Sequence, residues 1–147
     1  MYNSAAAVCA DFAAAGVAVV ECPLQENACM CLARGGIVAV DSSRFATQRE
    51  KVTALIHEEG HFMSGAFYVP FSPYQEKAQA EYRADKAAIL KRIPLPALVE
   101  EMRRGFSVWE IAEHFKTLGF DVPVYSSTER AYTIYRDNLG VNFEALT

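Results

Sequence analysis

The chain has 147 residues, 52% of them hydrophobic, with 14 basic against 18 acidic side chains and a net charge of −4. That is enough apolar material for one domain with a buried core, and the mildly acidic balance argues against a surface that tracks phosphates. No apolar run approaches the roughly 20 residues that a membrane span needs, so a single cytoplasmic domain over residues 1–147 is expected.

The first expected helix covers residues 4–15, opened by Ser4 and closed by Gly16. It is alanine-rich, but it lacks the basic segment of a secretory signal, and Asp11 interrupts its apolar run. A short β-rich run follows at 17–21, and 28–33 with 37–41 reads as a hairpin around Arg34-Gly35-Gly36. Cys9, Cys22, Cys29 and Cys31 all lie in this first part of the chain. Their even number suggests disulfides or a second metal. Against that, Cys29 and Cys31 alternate with Met30 and Leu32 as strand positions do, and cytosolic thiols stay reduced. Buried small hydrophobes are therefore expected.

Thr47-Gln48-Arg49-Glu50 has the pattern of a capping box. Beyond it Val52, Leu55, Ile56, Glu59 and Phe62 recur at helical spacing, predicting a helix over 48–63. Inside it lies His57-Glu58-Glu59-Gly60-His61, which holds two of the chain's three histidines. At about 100° per residue the two imidazoles stack one turn apart, with Glu58 on the same side. That is the pattern that holds a zinc ion and places a general base beside it. Gly60 costs a helix about 1 kcal/mol relative to alanine, so a close approach by another segment is expected there.

Catalytic zinc takes three protein ligands as a rule. The next helix is predicted from the capping pattern Ser72-Pro73-Tyr74-Gln75 to about Arg92, where Pro94 and Pro96 stop it. Glu81 and Asp85 share one face at i and i+4, amid the small residues Ala78, Ala84, Ala87 and Ala88. Glu81 is the expected third ligand, with Glu76 as fallback. Asp85 is placed to accept the ring N–H of a liganding histidine. The competing reading has both carboxylates solvated and paired with Lys77, Arg83 or Lys86. Tyr68 and Tyr74, in or beside the aromatic stretch after His61, are candidates for a hydrogen bond to a developing oxyanion; Phe67, Tyr68 and Phe71 could equally line a cleft or core.

From His57 through Pro94, with HEEGH, SGAFYVPFSP and EYRADKAAILKRIP, the sequence resembles the ImmA/IrrE family of small zinc metallo-endopeptidases of bacterial prophages and mobile elements. The likeness covers roughly residues 15–120 and is strongest at 52–94; Ile37-Val38-Ala39-Val40-Asp41 is similar to the family's approach to its active-site helix. It departs at Lys86-Ala87-Ala88, which replaces an aromatic often seen there. The resemblance implies that His57, His61 and Glu81 bind one zinc per chain and that Glu58 is the catalytic base. It also implies an α+β, zincin-like domain, in which a sheet of about three strands packs on the two metal-binding helices and a helical part covers about 95–147. A protein substrate is implied as well, a helix-turn-helix repressor of the same mobile element.

In the last third, Ser107-Val108-Trp109-Glu110 and Ser126-Ser127-Thr128-Glu129 read as two further capping boxes. They open helices to about Thr117 and to Leu139, the second closed by Gly140. Residues 108–115 faintly resemble the first helix of a helix-turn-helix, but about ten residues separate the two helices where three or four are usual. The stretch 92–140 carries six basic and seven acidic side chains. Direct nucleic-acid binding is therefore not expected, and His114 is read as a helix-surface histidine. Three functions remain in order: a zinc endopeptidase, a zinc-containing regulatory module that docks to a repressor or other partner without cutting it, and a DNA-binding regulator. Retention of Glu58 favours the first over the second.

Overall fold

A computed structural model describes residues 4–32, 36–69, 71–117 and 124–146. Its class is α+β: six α-helices among the described residues and a three-stranded mixed sheet. Helix α1 (Ala5–Ala14) is capped by Ser4, whose hydroxyl accepts from the Ala7 N–H at 3.1 Å. Strands β1 (Ala18–Glu21), β2 (Cys29–Leu32) and β3 (Ile37–Val40) follow. The sheet order is β1-β3-β2, with β1 parallel and β2 antiparallel to β3. The chain thus visits both edges before filling the middle. Chemistry explains the order, because β3 is the continuous apolar run Ile37-Val38-Ala39-Val40 and is buried at three of its four positions. The expected hairpin is β2–β3; residues 33–35 of its turn lie outside the described residues.

Helix α2 (Gln48–Ser64) starts at Thr47, whose hydroxyl accepts from the Glu50 N–H at 3.2 Å. The returning Glu50 carboxylate takes the Ala46 N–H, one residue before the cap. Helix α3 (Tyr74–Arg92) corrects the expected cap: Pro73 occupies that position and no side chain closes it. The Ser72 hydroxyl accepts instead from the Val69 N–H at 3.1 Å, holding the loop rather than the helix. Pro94 both ends α3 and precedes α4 (Leu95–Arg103), where the second proline is tolerated in the first turn. Ser107 and Glu110 form the expected reciprocal cap of α5 (Val108–Thr117). Helix α6 (Val124–Leu139) begins before the Ser126–Glu129 box, so that box does not open it; the side chains of Ser126, Ser127 and Thr128 lie outside the described residues.

The core joins Val8 and Phe12 of α1, Val38 and Val40 of β3, and Val52 and Leu55 of α2 with Ile89, Leu98, Ile111 and Ile134 of the later helices. The closest packing is between α2 and α3. A Cβ placed on Gly60 would lie 2.2 Å from the Ala84 carbonyl oxygen, so the two backbones meet where the sequence leaves out a side chain. The small-residue seam of α3 is Ala80, Ala84 and Ala88; Ala78 is exposed and Ala87 half-buried.

One buried network was not foreseen. Glu59 is 4% and Arg92 2% exposed, and their side chains pair at 2.8–3.2 Å. Arg92 also donates to Asp11 at 2.7 Å, and Lys91 reaches Glu59 at 3.0 Å. Three helices are thereby tied through one guanidinium. The signal was Glu59 itself, a charge on the otherwise apolar stripe of α2, which requires a partner.

The cysteines depart from expectation. Cys9 is exposed, the other three are half-buried, and all four are free thiols. Cys29 and Cys31 pack against the edge of the core, as small hydrophobes do, and also line an open cleft that includes Glu58. Burial pushes the Cys29 thiol up to about 12. Burial, then a hydrogen bond with Glu58, raises Cys31 as well. No helix among the described residues is long and apolar enough to cross a membrane.

Candidate metal centre

Helices α2 and α3 bring three side chains to one point. His57 and His61, one turn apart, place their Nε2 atoms 3.2 Å from each other, with ring planes at 88°. Glu81 of α3 faces both, Oε2 at 2.8 Å from His57 Nε2 and Oε1 at 3.4 Å from His61 Nε2. One ligand atom from each of the three lies within 4.8 Å of the others, so the group could hold a metal ion.

The opposite ring edges explain why both Nε2 atoms point inward. His61 Nδ1 lies 2.6 Å from the carbonyl oxygen of Ala66, an acceptor only, so Nδ1 carries the proton and leaves the Nε2 lone pair for a ligand. That carbonyl is delivered by Gly65, which ends α2 in the left-handed conformation at φ 67°. His57 Nδ1 lies 3.3 Å from Asp85 Oδ1, the carboxylate partner expected from the sequence. Asp85 foremost raises the His57 pKa, against the opposing pull of burial, with Glu81 and Glu58 adding to it. Asp85 takes its cation from Arg130 of α6, a residue that nothing in the local sequence singled out.

A cleft of ≈ 760 Å³ opens over this point. Its lining includes Glu58 with His57 and His61, Met30 and Leu32 of β2, and Phe67, Tyr68 and Val69. The Tyr68 hydroxyl donates to Glu81 Oε1 at 2.6 Å, and this bond foremost pushes its pKa up to about 12. Tyr68 therefore touches a ligand group and sits at the mouth of the cleft. Tyr74 does not join it: at the first turn of α3 it is 86% exposed and is absent from the cleft lining. Glu76 is exposed near the same helix end, so Glu81 alone supplies the carboxylate of the group. His114 pairs with Glu101 of α4, stacks edge-on against Phe106 and has no part in the group.

The donor set tests what could sit here. Two imidazole nitrogens, each ring backed by an acceptor, and one carboxylate form a donor set that could hold a metal ion. No protein-family model, curated protein or solved structure matches the chain.

Proposed function

We propose that the protein is a zinc-dependent endopeptidase of the ImmA/IrrE type, with a zincin-like fold, that cuts a protein substrate in the cytoplasm. The observation that carries this reading is the meeting of His57, His61 and Glu81 at one point with Glu58 beside them in the wall of the same cleft. Zinc bound there would lower the pKa of a water in its open position to about 7 and polarise the scissile carbonyl. Glu58 accepts the proton of the attacking water and passes it to the departing amine. Asp85 and the Ala66 carbonyl hold the two imidazoles with their Nε2 lone pairs forward. Tyr68 is the nearest hydroxyl for the oxyanion, moving from Glu81 as the carbonyl oxygen gains charge.

A peptide substrate suits this cleft. Strand β2 is an outer strand of the sheet and lines it, and an extended chain laid along an open strand edge gains main-chain hydrogen bonds. Met30, Leu32, Phe67 and Val69 offer it exposed apolar surface. The sequence resemblance supplies the substrate class, a helix-turn-helix repressor of a phage or mobile element.

Metal analysis of the purified protein should find one zinc per chain, and co-expression with neighbouring repressors should yield a shortened product. Glu58→Gln should retain zinc and lose cleavage by about 10²-fold or more, whereas Glu81→Ala should lose the metal. Cleavage at the wild-type rate by Glu58→Gln would remove the base assignment; a chain that holds no zinc even when it is supplied would remove the site.

A further inference from the structure

We infer that Arg130 is a positioning residue of the metal centre, through which helix α6 fixes Asp85 and, by way of Asp85, the ring of His57. The inference rests on the metal-centre reading above and extends it to the C-terminal part of the chain.

The two histidines are secured unequally. The side chain of His61 is 6% exposed, and its ring is held at 2.6 Å by a backbone carbonyl that cannot rotate independently. His57 is 35% exposed, and behind it stands a side chain, Asp85, at 3.3 Å. A carboxylate bonded through one oxygen can turn about its own axis and let the ring drift. Here both oxygens are engaged: Oδ1 faces His57, and Oδ2 receives the Arg130 guanidinium from 45 residues downstream. The plane of the carboxylate, and with it the imidazole, is set by a helix outside the α2–α3 pair. The Arg130 side chain is 58% exposed, so the pair contributes little to stability. What it supplies is orientation at the less secured ligand.

Helix α6 also bonds to α3 and to the residue that ends it. Asn138 donates to the Tyr82 hydroxyl at 2.9 Å, and Tyr135 donates to the Ile93 carbonyl at 2.8 Å. Asn138 anchors the same two helices without touching Asp85, which makes it the control.

The test is zinc affinity, measured by competition with a chromogenic chelator. It uses wild type, Arg130→Ala, Arg130→Lys, Asn138→Ala, Asp85→Ala and the Arg130→Ala/Asp85→Ala double variant, all as full chains. Groups bonded directly to a ligand alter metal affinity by about 10–100-fold. One link further out, Arg130→Ala should weaken zinc about threefold to tenfold, Arg130→Lys should recover part of the loss, and Asn138→Ala should match wild type. In the Asp85→Ala background, Arg130→Ala should have no further effect, because its route to the metal is gone. Wild-type affinity in Arg130→Ala overturns the inference alone, as does an equal loss in Asn138→Ala or an additive double variant. A wild-type chain that binds no zinc overturns the metal-centre reading and this inference with it.

Discussion

Two parts of the molecule that meet at the cleft are built on opposite terms. On the ligand side, α2 and α3 meet backbone to backbone at Gly60 and Ala84, and Glu59 and Arg92 are locked together out of water. By contrast, β2 and the segment after α2 leave Met30, Leu32, Phe67 and Val69 exposed, and Phe71 as well. Ligands must hold their atoms to within a few tenths of an ångström, which needs close packing and satisfied polar groups. A surface that is to receive the proposed peptide must keep apolar area open to water until the peptide arrives. One side concentrates stability, and the other leaves it out.

The contrast can be broken most severely at Arg92. Arg92→Met should destabilise the fold by about 3–5 kcal/mol, because it leaves the buried Glu59 carboxylate without its main partner. Urea unfolding of the variant measures the loss. Adding Glu59→Leu should recover much of it, since the unpaired charge is then removed. Gly60→Ala comes next. The added Cβ meets a backbone oxygen that cannot swing aside, so α2 and α3 must separate, at about 1–3 kcal/mol, and affinity for the proposed metal should fall with stability because Glu81 moves with α3. The exposed side should respond in the reverse sense. Leu32→Ser should change stability by no more than about 0.5 kcal/mol and leave metal affinity unchanged, while reducing the proposed peptide cleavage. An equal loss of stability there would abolish the distinction between the two sides.

The smallest expected effect is on acid sensitivity. Hydrogen bonds from Lys91 foremost hold Asp11 below its ordinary 3.8, and those from Lys51 and then Ser42 hold Glu21 below 4.5. A carboxylate lowered by folding stabilises the fold above its ordinary value and loses that contribution as pH falls through the lowered one. Thermal stability should therefore drop below about pH 4.5, and Asp11→Asn with Glu21→Gln should flatten the drop. A melting curve unchanged in its pH dependence by both substitutions would show that these pairs do not couple to folding.

Local chemistry accounts for what could be read ahead of the structure. Ser4, Thr47 and Ser107 announce helix starts because a cap bonds to amides only two or three residues away. The same rule misplaces the start of α3, because the Ser72 hydroxyl is taken by an amide equally close in sequence but on the loop side, at Val69. Tyr74 is close to the aromatic segment in sequence, yet α3 carries it to an exposed helix end. Arg130 was invisible because its partner lies 45 residues away and its own helix shows no pattern that would mark it.

The sequence by itself determined the α2 motif: helical spacing alone stacks His57 above His61 and sets Glu58 beside them. It also set Glu81 and Asp85 on one face of a second helix. What only the tertiary structure decided is which atoms of those two helices meet. Contact at Gly60 and Ala84 sets the distance between them, and the buried Arg92 fixes how they are tied to α1. The Ala66 carbonyl and the Arg130–Asp85 pair then turn the rings. Periodicity governs neighbours along one helix; bringing a carboxylate within 2.8 Å of an imidazole on another helix depends on long-range packing, which no local spacing encodes.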